Sequence, residues 1–247
     1  MKKETYIYGI RPAIEAIKAG KEIEKIFLQN GLKGEGFREL FGFIKELEIP
    51  FQFVPVEKLN RLSRQNHQGV ITYVSEIPYQ KLEDLVPLVY EQGRIPFFLI
   101  LDRITDVRNL GAIARTAECA GVDGLLIPAR GSAMINSDAI KTSAGALYKL
   151  PVIRSENLKD SIRFLKDSGL TILAATEKTE TPYSKTDFNR PLALILGSEG
   201  EGISEEYLKL CDETLSIPVM GEIESLNVSV ACGILLFEAI RQRNQSL

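Results

Sequence analysis

Phe97-Phe98-Leu99-Ile100-Leu101-Asp102-Arg103-Ile104-Thr105-Asp106-Val107-Arg108-Asn109-Leu110-Gly111-Ala112-Ile113-Ala114-Arg115-Thr116-Ala117 sets the architecture of this chain. Five consecutive large apolar side chains, Phe97 to Leu101, read as a strand buried on both faces. A polar loop follows, and from Leu110 small and apolar residues recur at helical spacing as far as Ala120. The unit then repeats. Candidate strands stand at 97–101, 124–127, 171–175, 192–196 and 213–217, with helical patterns at 110–120, 137–147, 158–166, 204–210 and 227–243. Apolar strands alternating with helices predict an α/β domain built on a parallel sheet covered on both faces. Such sheets bind ligands beyond the carboxyl ends of their strands, so functional residues are expected on the loops that follow strands.

Upstream the pattern changes. Residues 1–76 read as a small α/β domain. It has a helix from Pro12 to Ala19 stopped by Gly20, a strand at Ile23–Leu28, a helix at Phe37–Leu47, and strands at Phe51–Pro55 and Val70–Val74. The aromatics Phe37, Phe41, Phe43, Phe51 and Phe53 are expected mostly in its core. Residues 77–95 read as a linker whose short helix, Leu82–Glu91, is broken at Pro87. The second domain is then 96–247.

Of the 247 residues, 45% are apolar and 26% charged, which is ordinary for a globular chain with a sizeable core. The net charge of −3 gives no global nucleic-acid signal. Residues 1–76 nevertheless carry 12 Lys/Arg against 10 Asp/Glu, and 96–247 carry 16 against 20, so RNA contact would depend on local placement. No apolar run reaches membrane-spanning length and the start lacks a signal-peptide core, so no membrane partner and a cytoplasmic location are expected. Cys119, Cys211 and Cys232 are widely spaced and His67 is the single histidine. That disfavours a zinc site or a disulfide framework, and no metal is expected.

Three loops obey the post-strand rule. In the first, Asn109 is placed to cap the following helix, and Arg115 stands on a small apolar face, either paired, snorkelling, or clamping a phosphate or oxyanion. Arg103 and Arg108 read as rim charges. The second loop, Gly197-Ser198-Glu199-Gly200-Glu201-Gly202, is spaced GxxGxG and is acidic, which does not fit a dinucleotide fingerprint. Alone it reads equally well as a tight turn. The third, Gly221 to Asn227, places Ser225 and Asn227 at a helix start, where both are also good caps. Lys141-Thr142-Ser143-Ala144-Gly145-Ala146 reads either as close helix packing with Lys141 solvated or as a surface facing RNA. His67, before Gly69, reads first as a turn residue, with Arg61 and Arg64 near it in sequence.

Together these loops resemble the three signature motifs of the SpoU-type RNA ribose 2′-O-methyltransferases of the SPOUT superfamily. Asn109 and Arg115 match the first motif, Glu199 in LILGSEGEGIS the second, and Ser225 and Asn227 in IPVMGEIESLNVSVACGILLFE the third. Tyr8-Gly9-Ile10-Arg11-Pro12-Ala13-Ile14-Glu15-Ala16 and His67-Gln68-Gly69-Val70 are similar to the substrate-binding domain of the subgroup that methylates a guanosine ribose in 23S ribosomal RNA. The resemblance implies a parallel-sheet SPOUT catalytic domain with a C-terminal trefoil knot, plus a small N-terminal α/β domain of the ribosomal-protein-L30e-like kind. It implies S-adenosylmethionine held in the knot near Leu196, Gly197, Glu199, Ile217, Pro218 and Leu226. It also implies a homodimer through the catalytic domain with Arg115 acting near the interface. RNA would meet Arg11, Arg61, Arg64, His67, Arg108 and Lys141.

The catalytic set implied by the resemblance is Arg115, Asn109, Glu199, Ser225 and Asn227. An arginine is a poor literal base, because deprotonating a guanidinium at neutral pH costs roughly 7 kcal/mol. An electrostatic role on the neighbouring phosphate and the developing alkoxide is less demanding. Two alternatives stand beside the ribosomal target: transfer RNA as substrate, and a catalytically silent RNA-binding or ribosome-assembly module.

Overall fold

The computed structural model describes residues 6–223 and 225–244. They divide into two compact units, residues up to Pro78 with Ile135–Ser137, and Tyr79–Met134 with residues from Asp138 onward.

The smaller unit runs β1 (Tyr6–Tyr8), α1 (Ile10–Lys18), β2 (Ile23–Gln29), α2 (Glu35–Glu46), β3 (Phe51–Val54), α3 (Val56–Leu62) and β4 (Val70–Val74). Its sheet order is β1-β4-β2-β3, antiparallel except for the β2–β3 pair, with β3 at one edge. Ile26, Leu28 and Val70 pack with Ala13, Ile14 and Ile17 of α1 and Leu40 and Ile44 of α2. β1 and α3 were not anticipated. β1 is three residues long, and α3 is seven residues rich in polar side chains, so neither shows a periodicity.

The larger unit runs α4 (Leu82–Glu91), β5 (Phe97–Leu101), α5 (Val107–Cys119), β6 (Gly124–Pro128), α6 (Ser137–Thr142), β7 (Val152–Ser155), α7 (Leu158–Asp167), β8 (Thr171–Ala175), β9 (Leu192–Leu196), α8 (Glu205–Leu208), β10 (Glu213–Leu215) and α9 (Val228–Asn244). Its six strands are all parallel, in the order β10-β8-β9-β5-β6-β7. Every residue of β5 and β9 is buried, which is why both strands read as unbroken apolar runs. On one face Phe98, Ile100, Ala193 and Ile195 pack with Leu82 and Val86 of α4 and Leu158, Ile162 and Leu165 of α7. α5 and α9 pack on each other. At the amino ends of the strands, Arg243 donates to the carbonyls of Ile95 (2.9 Å), Phe188 (3.0 Å) and Arg190 (2.9 Å) and tethers the end of α9.

Several expectations are corrected. Residues 79–95 belong to the larger unit, and α4 is one helix through Pro87. Pro87 faces solvent, and the carbonyl of exposed Glu83 that lacks its usual donor is left to water. The helix expected at 137–147 ends at Thr142, because Ala144 (φ 52°) and Gly145 (φ 84°) turn left-handed. The strand expected to reach Ile217 ends at Leu215, and Ser216 makes only an isolated bridge with Pro182. β7 was missed.

Candidate active site at the carboxyl end of the sheet

The chain order of the strands reverses between β5 and β9, so the loops after these neighbours flank the switch point where open parallel sheets take ligands. The first loop starts α5. Its cap is Asp106, not Asn109: Asp106 Oδ1 accepts from the backbone N–H groups of Arg108 (2.7 Å) and Asn109 (3.0 Å). The Asn109 side chain is thereby left to reach across the site.

It does so. Asn109 Nδ2 donates to Glu199 Oε1 at 3.0 Å, and Asn227 Nδ2 donates to the same oxygen at 2.7 Å and to Asn109 Oδ1 at 3.1 Å. Three residues separated by 90 and 28 positions thus meet in one triangle. The other end of Asn227 caps α9, with Oδ1 accepting from the Ser229 N–H (3.0 Å) and hydroxyl (2.6 Å). Capping and site-building are therefore one function of one amide.

The Glu199 loop is built to hold its shape. Ser198 and Gly202 exchange backbone hydrogen bonds at 3.1 and 3.0 Å, and Gly197 passes so close to Gly202 that no side chain fits there. Asp102, buried at 1% exposure, fastens the loop's far end by accepting from Ser204 N–H and Oγ–H, both at 2.7 Å. Arg103, read from sequence as a rim charge, is instead a brace. In a left-handed conformation (φ 56°), it donates to Asp102 (3.1 Å), the Gly202 carbonyl (3.2 Å) and Glu201. The hydrogen bond to Asp102, above all, holds its guanidinium even further above the ordinary arginine range. This Asp102–Arg103–Ser204 clasp was missed. Its only sequence signal is a carboxylate placed directly at the end of an apolar strand.

Beside the triangle lies a cavity of about 300 Å³, within the size range of small-molecule sites. Leu196, Gly197, Glu199, Ser225, Ile217 and Leu226 line it. Pro218 is not among the lining residues, although its neighbours Ile217 and Val219 are. The end of β8 and the loop after it, Ala175-Thr176-Glu177, also line it and carried no sequence signal.

Arg115 is not part of this cluster. It is exposed on α5 and has no hydrogen bond or ion pair with another described residue. One turn further on lies exposed Cys119. Arg108 and Lys141 are exposed, and α6 packs its Thr142 against Gly111 of α5, so close helix packing holds for that segment. In the smaller unit Arg61 and Arg64 are exposed, and Arg11 is paired with Glu39 at 3.1 Å. His67 sits in the turn that precedes β4. It is 7% exposed, with Nδ1 accepting from the Gly69 N–H (3.0 Å), so that Nε2–H donates to Asn60 Oδ1 (3.0 Å). Both ring nitrogens serve the turn that starts β4. Among the described residues no cluster of three His, Cys, Asp or Glu could hold a metal ion, and no helix is long and apolar enough to cross a membrane.

Comparison with known proteins identifies this arrangement. Residues 96–237 match the SpoU rRNA Methylase family, and residues 6–80 match the RNA 2′-O ribose methyltransferase substrate-binding domain. A TrmH family tRNA/rRNA methyltransferase of Bacillus subtilis strain 168, YacO, is 35% identical over 240 residues, 97% of this chain and 96% of its own length. A TrmH family tRNA/rRNA methyltransferase of Staphylococcus saprophyticus is 37% identical over 98% of this chain and 97% of its own. The crystal structure of AviRb from Streptomyces viridochromogenes in complex with AdoMet superposes with a TM-score of 0.61 at 26% identity, covering 97% of this chain and 90% of that one. With both units matched, and Asn109, Glu199 and Asn227 joined at the switch point, the chain belongs to the SpoU rRNA methylase family.

Proposed function

We propose that this chain is an S-adenosylmethionine-dependent 2′-O-methyltransferase acting on a guanosine ribose of 23S ribosomal RNA. The observation that carries the reading is the Asn109–Glu199–Asn227 triangle beside the cavity. The cavity suits the cofactor. Leu196, Ile217 and Leu226 supply apolar walls, the obligatory Gly197 lets backbone approach closely, and Glu177 and Glu199 place carboxylates where a cationic ligand is favoured. S-adenosylmethionine supplies, when bound, a methyl group on a sulfonium whose departure leaves a neutral thioether.

The protein's task is then the nucleophile, a ribose hydroxyl that must shed its proton as it attacks. Asn109 and Asn227 fix Glu199 Oε1, and among the described residues its Oε2 has no hydrogen-bond partner and is available to a hydroxyl or amine. Ser225, on the cavity wall, orients ligand on the same side. Arg115 holds the adjacent phosphate and stabilises the developing alkoxide, with phosphate or water taking the proton. Its exposed place on α5, beside α9 with exposed Val230 and Phe237, supports a homodimer through the catalytic domain in which Arg115 completes a site with the partner subunit. Ile217, Val219, Leu226, Val228 and Ala231 wall the cavity opposite the loops of β8 and β9, and this part of the chain is proposed to be threaded in a C-terminal trefoil knot.

The test is labelled methyl transfer to unmodified total RNA with mapping of the 2′-O-methyl position. A guanosine in 23S RNA is expected, and a modified transfer RNA would move the assignment to that substrate. Arg115→Ala should lose most turnover while cofactor affinity by calorimetry changes little. Near-normal turnover, or loss through failed cofactor binding, would remove Arg115 from its role.

A further inference from the structure

The α2–β3 edge of the smaller unit carries a surface that the active site does not use. Phe37 and Phe41 of α2 and Phe51 and Phe53 of β3 form one cluster of rings. Centroids stand 5.5 Å apart for Phe37–Phe41, 5.4 Å for Phe41–Phe51 and 5.7 Å for Phe51–Phe53. Interior rings would be closed over, and the sequence led us to expect that. Instead Phe53 is 44% exposed, Phe37, Phe41 and Phe51 are half-buried, and β3 is an edge strand with no described residue paired beyond it.

Charge gives the edge a direction. Lys45 Nζ stands 5.0 Å from the Phe51 centroid and 5.3 Å from that of Phe41. At 3.6 residues per turn, Phe37, Phe41, Arg38 and Lys45 share one side of α2, while Glu35, Glu39 and Glu46 share another. Glu39 is already paired with Arg11 and Lys18. The exposed rings are thus bordered by cations and turned away from the acids of their own helix. Protein-binding patches are depleted in lysine, whereas aromatic faces bordered by Lys and Arg suit the base and phosphate of a single-stranded nucleotide.

We propose that this phenylalanine edge is a stacking platform for an unpaired nucleobase of the substrate RNA, with Arg38 and Lys45 meeting the flanking phosphates. The proposal rests on the reading of RNA as substrate. It makes the smaller unit a reader of single-stranded RNA, since bases within a duplex offer no free face.

The chain contains no tryptophan, so Phe53→Trp in the full-length protein installs a single tryptophan on the platform, which can be excited selectively beyond tyrosine absorption. A short single-stranded oligoadenylate should quench it, and the same strand in a duplex should not. Phe53→Ala should weaken retention of the labelled single strand roughly 5- to 150-fold, and Phe53→Tyr should restore it. Retention of RNA without quenching, or equal quenching by duplex, overturns the platform and leaves the RNA-substrate reading standing. No retention of RNA by the parent protein overturns both. Quenching that grows with protein concentration in the absence of RNA assigns the edge to self-association and overturns the proposal.

Discussion

Gly197→Ala separates the shape of the Glu199 loop from the stability of the fold. A Cβ at position 197 would stand 2.1 Å from the carbonyl carbon of Gly202, 2.3 Å from the nitrogen of Ile203 and 2.4 Å from the Gly202 oxygen. These are backbone atoms, which cannot swing aside like the tip of a side chain. Reaching even a tight 3.0 Å contact from 2.1 Å requires the two arms of the loop to part by about 0.9 Å. That opens the reciprocal Ser198–Gly202 hydrogen bonds, worth about 2 kcal/mol together. For a chain of this size the melting temperature should fall by roughly 4–8 °C and the protein should stay folded. The chemistry should suffer more. Glu199 lies two residues along, and its 2.7 and 3.0 Å bonds to Asn227 and Asn109 do not survive a displacement of that size. Misplacement of a reacting group by about 1 Å costs on the order of 100-fold in rate. The assay is single-turnover methyl transfer beside a thermal melt, with Gly200→Ala as control. Gly200, unlike Gly197, has a positive φ (+90°), and nothing lies within 4 Å of a Cβ placed there, so it tests backbone strain without collision. A Gly197→Ala enzyme near the parental rate, or a Gly200→Ala enzyme equally impaired, would refute the dependence of rate on Glu199 placement.

Asp102→Asn should cost about 2–3 kcal/mol in urea unfolding, because two charge-assisted bonds from Ser204 lose their buried carboxylate. His67→Ala should destabilise by about 1–3 kcal/mol through the lost Gly69 and Asn60 bonds while leaving RNA affinity unchanged, in contrast to Arg64→Ala, which should weaken RNA retention and its salt dependence. Hydrogen bonds from Arg241 and then Gln242 pull the Glu238 carboxyl down from 4.5 to about 2. Its stabilising contribution is complete above pH 4.5 and is lost as pH falls toward 2, so Glu238→Gln should flatten that acid limb of the unfolding curve. Burial pushes the Cys211 and Cys232 thiols up to about 12, so a thiol reagent at pH 8 should label exposed Cys119 quickly and those two only after denaturation.

The sheet was legible where both faces of a strand are buried, because such strands leave an apolar run: β5 and β9 were read to the residue. Edge strands lack that signature. β7 is Val-Ile-Arg-Ser with a half-buried arginine, and β1 has three residues, so tertiary pairing rather than pattern makes them strands. α4 survives Pro87 because the proline faces water, a fact about orientation that composition does not hold. For the site, the loops were legible and their wiring was not. Asn109 and Asp106 are both acceptable caps, and only the fold shows Asp106 taking the cap and freeing Asn109. Arg103 reads as a rim charge because two of its three partners, Glu201 and Gly202, lie about a hundred residues away in sequence.

The double engagement of Asn227 has a kinetic consequence. Its amide closes the triangle with a residue 118 positions earlier while opening the helix that follows, so Glu199 gains its second donor only when α9 docks. Contacts this distant in sequence carry a large loop-closure entropy and form late in folding. Intermediates that already have the β5–β9 pair therefore hold an unfinished Glu199, and ligand affinity should rise only in the last refolding phase. In native-state hydrogen exchange, the amide of Ser229 should open together with loss of ligand binding, making one proton a reporter of whether the enzyme is assembled.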